Sequence, residues 1–143
     1  PHRYKLPRAL RDDPFHFSFS GLKTAMLRLV QIEGSALDLR DAAASLQEAI
    51  VDVISTKAMQ CAEATGSSAV TLVGGVSANR ALRERLAALC EQADLEFVVP
   101  PFSLCTDNAG MIGLAASMRL ALGERGDLSM DVSPGDPLPG LID

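Results

Sequence analysis

Acidic residues outnumber basic ones, 18 to 13, in a chain of 143 residues with a formal net charge of −5. That deficit of positive charge excludes a protein that grips nucleic acid through a broad basic face, so any RNA contact has to be local or shared with another chain. No apolar stretch approaches the roughly 20 residues of a membrane span. The amino terminus, with His2, Arg3 and Lys5, has no apolar block behind it and does not read as a signal peptide. An initiator methionine is also lacking, and a fragment or a processed chain is expected. Cysteine is sparse: Cys61, Cys90 and Cys105 form no C-x-x-C pair, and no histidine is spaced for a zinc knuckle. They read as free thiols of a reducing cytoplasm. Neither a Ser-His nor a Cys-His arrangement is visible, and H-E-x-x-H is absent.

What remains is ordinary for one soluble globular domain, with 48% hydrophobic and 22% charged residues. The one basic cluster is Arg3, Lys5, Arg8 and Arg11 with His2, open either as a solvated arm or as a phosphate-binding patch. Residues 1–17 read as an irregular lead-in that packs Phe15, Phe17 and Phe19 by alternation, after which Ser18 or Ser20 offers a helix cap. Leu22, Met26, Leu29 and Val30 recur at helical spacing up to Gly34. The Gly21 to Thr24 stretch lacks the adjacent Gly-Lys and the earlier glycine of a phosphate loop, and Lys23 reads as solvated.

A second, longer helix is expected from Asp38 to Ala64, because Leu39, Ala43, Leu46, Ile50 and Val53 keep a three-four pattern and Gly66 stops it. Gln47, Glu48 and Asp52 fall on a polar face. Residues 69–73 read as a buried parallel strand and residues 78–93 as a helix with Leu82, Leu86, Leu89 and Cys90 inward and Arg80, Arg83, Glu84 and Arg85 outward. A strand over 95–99 ends at Pro100 and Pro101. The last helix, residues 107–122, carries Met111, Leu114, Ala115 and Met118 on one face and is slim at Ala109, Gly110, Gly113 and Ala116. Beyond Gly123 the chain reads as a Gly, Pro and Asp-rich tail. The order is helix, helix, strand, helix, strand, helix, and two strands are too few for a freestanding doubly wound sheet.

Chemistry concentrates at two strand-to-helix turns. In the first, Gly74 and Gly75 allow close approach to the backbone ahead of a helix amino terminus, which suits a nucleotide, although Ser77 as a simple helix cap explains the turn equally. In the second, Thr106 or Asp107 stands where a cap belongs, while a carboxylate at a strand end is also a usual metal ligand. Cys105 beside it is the one thiol placed to be reactive, though no neighbouring His or Lys stands by to activate it.

Three stretches in order, Phe17 to Lys23, Gly74 to Arg80 with Leu82 and Arg83, and Cys105 to Ile112, resemble the TsaD (Gcp) family of tRNA threonylcarbamoyladenosine transferases. The resemblance implies an α/β chain that is part of an actin-like ATPase lobe (ASKHA, RNase H-like). Residues 1–122 would be the C-terminal part of the second lobe, divided into 1–66, the lead-in and a two-helix insertion, and 67–122, a βαβα core; 123–143 is the tail. It implies that Asn79, and less directly Gly74 and Gly75, contact threonylcarbamoyl-AMP or an ATP-like nucleotide. Asp107 would ligate one divalent metal ion, iron or zinc, whose paired histidine ligands lie upstream of Pro1; His2 and His16 do not match that pair. Implied partners are tRNA and TsaB-like and TsaE-like proteins, with no membrane, and the chain alone is expected to be inactive. The rival readings are another actin-fold phosphotransferase or ATPase lobe, and a non-catalytic binding or dimerisation module.

Overall fold

A computed structural model describes residues 2–10, 13, 15–127, 129 and 131. The expected tail thus lies largely outside the described residues, as does Arg11 of the basic cluster. The chain divides into two units, Pro1–Asp107 and Asn108–Asp143.

In the first unit, α1 (Ser20–Glu33) and α2 (Leu39–Thr65) are followed by β1 (Ala69–Thr71), α3 (Arg80–Gln92) and β2 (Glu96–Val98). Local chemistry explains the bounds of α2. The Asp38 carboxylate accepts the backbone N–H groups of Arg40 and Asp41, and Gly66, at φ 63°, turns its N–H back onto Ala62 and Glu63. At 27 residues α2 is about 40 Å long, the spine of the unit. Ala49 packs with Leu6 and Leu22 toward α1, while Val51 packs with Leu82 and Leu86 toward α3.

The strands pair in parallel, with Ala69, Val70 and Thr71 opposite Glu96, Phe97 and Val98. Two bonds extend the ladder, Leu72 N–H to Val98 C=O and Glu96 N–H to Ser68 C=O, both 2.9 Å. Both carboxyl ends leave at one edge of the sheet, and the two chemistry-bearing turns follow from that edge. The strands are half-buried or exposed rather than buried, because α2 and α3 cover the pair while no further strand joins it among the described residues.

Several expectations are corrected. Phe15, Phe17 and Phe19 do not pack inward; they are exposed, with the Phe17 and Phe19 rings stacked 6.3 Å apart. The N-cap of α1 is Phe19, without a side-chain cap, because Ser18 Oγ and Ser20 Oγ pair with each other at 3.1 Å. On α2, Leu39 and Ala43 are exposed and the buried stripe runs through Ala42, Ser45 and Ala49. Lys57 is buried on the same helix and its Nζ donates to the carbonyls of Leu10 and Asp13, tying down the lead-in.

The second unit contains α4 (Ala109–Ala121), capped by Asn108, whose Oδ1 accepts the Met111 N–H at 3.2 Å. The face that carries Met111, Leu114, Ala115 and Met118 is exposed, and α4 has no buried residue. Arg119 pairs with Glu124 at 3.2 Å just past its end.

Candidate functional site

The first turn leaves β1 through Leu72 and Val73 into a 3-10 turn (Gly75–Ala78) before α3 begins. That extra turn moves the cap. Asn79, not Ser77, is the N-cap, its Oδ1 accepting the Leu82 N–H at 3.0 Å. Ser77 is instead fully buried and its Oγ has no hydrogen-bond partner among the described residues. Gly74 has φ 80° and ψ 179°, a combination reserved for glycine. Gly75 has no such constraint, and a Cβ placed on it would meet nothing within 4 Å.

Asn79 is half-buried and also donates from Nδ2 to Oε1 of Gln47, on α2, at 3.3 Å. Gln47 therefore does more than cover a solvated face. Because Oδ1 takes a backbone N–H, the carboxamide orientation is fixed by the cap, and Nδ2 retains a second proton for a further acceptor.

The second turn leaves β2 through Pro100 and Pro101 into another 3-10 turn (Phe102–Leu104). Neither Thr106 nor Asp107 caps α4; Asn108 does. Asp107 is exposed, and no hydrogen bond or ion pair joins it to Asn79 among the described residues. Nor do the described residues contain any group of three or more His, Cys, Asp or Glu side chains able to hold a metal ion. A lone exposed carboxylate does not make such a site, since a divalent cation needs several converging donors.

Arg83 joins the two turns, and the expectation that it points outward fails. It is half-buried, its Nε donates to the Ser77 carbonyl of the first turn, and one terminal nitrogen donates to Pro100 C=O at 2.6 Å and lies 2.8 Å from Cys105 Sγ. Its guanidinium stacks 4.0 Å over the Phe102 ring. A planar fork serving two carbonyls, a sulfur and an aromatic face is a task for arginine rather than lysine. Cys105 is correspondingly enclosed, 2% exposed, with Sγ donating to Pro101 C=O at 3.4 Å. Of the two readings open for Cys105, a reactive thiol or an inert one, the burial supports the inert one: the second turn folds over it. Sequence periodicity puts Arg83 on the helix surface; its proximity to Pro100 is set by the parallel pairing of β1 with β2.

Burial pushes the Cys90 thiol pKa up, in keeping with a small apolar filler in the α3 core. No helix among the described residues is long and apolar enough to cross a membrane.

A sequence profile of the family described as "TsaD: tRNA N6-adenosine threonylcarbamoyltransferase" matches residues 2–114. Relatives bearing the name tRNA N6-adenosine threonylcarbamoyltransferase include one from Synechococcus, 48% identical over 136 residues, which takes in 93% of this chain and 37% of the relative. One from Bacillus thuringiensis is 44% identical over 135 residues, 91% of this chain and 39% of the relative. One from Geobacillus kaustophilus is 45% identical over 138 residues, 93% of this chain and 40% of the relative. The chain thus spans about two-fifths of the length of these curated relatives. Since the profile match takes in well over half of its residues, the chain belongs to the TsaD family.

Proposed function

We propose that this chain supplies one wall of the cleft of a transferase that moves a threonylcarbamoyl group from threonylcarbamoyl-AMP to N6 of the adenosine beside the anticodon of a tRNA. In that reaction the N6 amine attacks the carbamoyl carbon, the bond from that carbon to the phosphate oxygen breaks, AMP leaves, and N6 gives up a proton. The chain would be the later part of an actin-like lobe, dependent on the remaining three-fifths of a full-length relative for activity and on TsaB-like and TsaE-like partners in the cell. Alone it would be inactive.

Gly75 is the observation that carries the nucleotide-facing role. Gly74 is required by backbone conformation, but nothing in the fold calls for glycine at the next position, where a methyl group would stand in open space. The openness is shared with Gly21 and Gly113, so it leaves the backbone of the 3-10 turn accessible to a ligand without requiring one, and the second proton on Asn79 Nδ2 beside it is available to a ribose or phosphate oxygen. Asp107 would give one carboxylate to a metal ion whose other ligands come from outside the chain.

The test uses a full-length protein carrying this segment, given threonylcarbamoyl-AMP, partner proteins and an unmodified tRNA. Mass spectrometry of the digested tRNA should show threonylcarbamoyl on the adenosine. Gly75→Ala should leave the melting temperature unchanged and weaken adenylate binding about tenfold, the loss of roughly 1.4 kcal/mol. Unmodified tRNA with the wild-type protein would refute the transferase reading; unchanged adenylate affinity in Gly75→Ala would remove the turn from the site.

A further inference from the structure

The basic cluster of the lead-in is not absorbed by the two turns, and the structure divides it. Arg8 is committed elsewhere, paired with Asp52 at 2.9 Å. Arg3 and Lys5 instead face α1 across an open groove of about 730 Å³, to which α1 contributes the polar Ser20, Thr24 and Arg28 and the apolar Ala25, Leu29 and Ile32. No carboxylate lines it. Lys5 and Arg28 are exposed and have no ion pair among the described residues. Arg3 is oriented by Asp41 at 2.8 Å and Asp38 at 3.7 Å, so part of its charge is already answered. The first turn of α1 has no acidic residue and no side-chain cap, so nothing there opposes an anion.

The shape narrows the ligand. The lining on α1 runs from Ser20 to Ile32, twelve residues on, which is about 18 Å of helix. That is longer than a single phosphate group and leaves the groove open along its length, a form suited to a strand rather than to a mononucleotide. In a chain of net charge −5, a groove whose lining holds three cations and no carboxylate is a local exception, although Asp38 and Asp41 stand behind Arg3. We propose that the groove between residues 3–7 and α1 holds the phosphate backbone of an RNA strand, with Lys5 and Arg28 as the phosphate contacts and Arg3 as a fixed, weaker third. The identity of the anion as RNA rests on the transferase reading above; the groove itself does not.

The experiment is fluorescence anisotropy of a labelled anticodon-arm RNA hairpin with the 143-residue chain, titrated at several salt concentrations. The double charge reversal Lys5→Glu with Arg28→Glu should weaken binding at least about tenfold near 50 mM salt and reduce the salt slope by about 1.4, the share of two single-strand phosphate contacts. Arg80→Glu with Arg85→Glu, equal in charge, exposed on α3 and outside the groove lining, should change affinity less than about threefold. The proposal is overturned if the wild-type chain does not bind the hairpin, if the groove variant keeps the wild-type slope, or if the control pair loses as much. It also falls if an equimolar nucleoside triphosphate displaces the hairpin, since the groove would then be a nucleotide site. Placed in a full-length protein, the groove variant separates the two failures. Normal transfer overturns the groove and spares the reaction; absence of transfer from the wild type, with hairpin binding intact, overturns the reaction and spares the groove.

Discussion

Removing the Arg83 guanidinium is the sharpest perturbation of the braced turns. Arg83→Ala leaves the Ser77 and Pro100 carbonyls without their charged donor and Cys105 Sγ without its neighbour. A hydrogen bond from a charged donor contributes about 1.5–3 kcal/mol, but the site is half-buried and water regains part of each carbonyl. The stacking on Phe102, itself 54% exposed, adds about 0.5–1 kcal/mol. The net loss should be about 2–4 kcal/mol, which for a unit of this size is a fall in Tm of roughly 10 °C or more. Arg83→Lys should recover little of it, because one ammonium cannot span both turns and the ring. The assay is urea denaturation beside a kinetic count of iodoacetamide labelling at Cys105, read by peptide mass. Cys105 should label slowly in the wild type and much faster in Arg83→Ala, since the turn that encloses it loses its brace. Arg85→Ala, exposed on the same helix, should stay within about 0.5 kcal/mol. Wild-type stability and labelling in Arg83→Ala would refute the claim that this side chain holds the turns together.

Other outcomes follow from the same geometry. Asn79→Ala should cost about 1 kcal/mol through loss of the α3 cap, while Asn79→Asp should keep the cap and lose the Gln47 contact; equal stability of all three proteins by denaturation would refute the capping role. Lys57→Met should destabilise by roughly 2–3 kcal/mol, because the carbonyls of Leu10 and Asp13 lose their donor, and limited proteolysis should then cut within the lead-in; an unchanged digestion pattern would count against it. The backbone N–H of Phe15, followed by the His16 side chain, holds the Asp13 carboxyl below its ordinary value. A depressed carboxyl stabilises above its unfolded pKa, about 3.9, and that contribution disappears as pH falls through the lower folded value. The protection of the Phe15 and His16 amides, measured against the intrinsic exchange rate at each pH, should therefore fall in acid below about pH 4, and Asp13→Asn should abolish that dependence.

How much of this could be read from the residues depends on the range of the interaction that decides each feature. Asp38 and Gly66 bound α2 through bonds to residues two to four positions away, so the sequence alone places both ends. The caps of α3 and α4 are equally local but were misplaced, because 3-10 turns at Gly75–Ala78 and Phe102–Leu104 intervene and shift the helix starts. Ser77, Thr106 and Asp107 fit the capping preference as types; only the backbone path selects Asn79 and Asn108. Arg83 and Lys57 were illegible for another reason. Helical periodicity assigns a long cation to the solvent, yet its flexible stem lets the charged end reach carbonyls from segments 6 to 47 positions away. The reverse failure is α4, whose apolar face is plain in the sequence while the described residues contain nothing that buries it.

Helix cap and ligand contact exclude each other at Asn79 only if each side chain has a single role. The carboxamide has two acceptor sites and two donor protons, and the fold uses them unequally. The cap takes Oδ1 through the Leu82 N–H, and Gln47 takes one proton of Nδ2 at a long 3.3 Å. Capping thus fixes which end of the carboxamide faces away from the helix, and that end is a donor. An acceptor on a ligand could replace or join Gln47 without disturbing the cap, whereas Ser at the same position would cap as well and offer no second group beyond it. A structural requirement for a small polar cap and a binding requirement for a donor are met together by asparagine, and for that reason the capping geometry is no argument against a ligand.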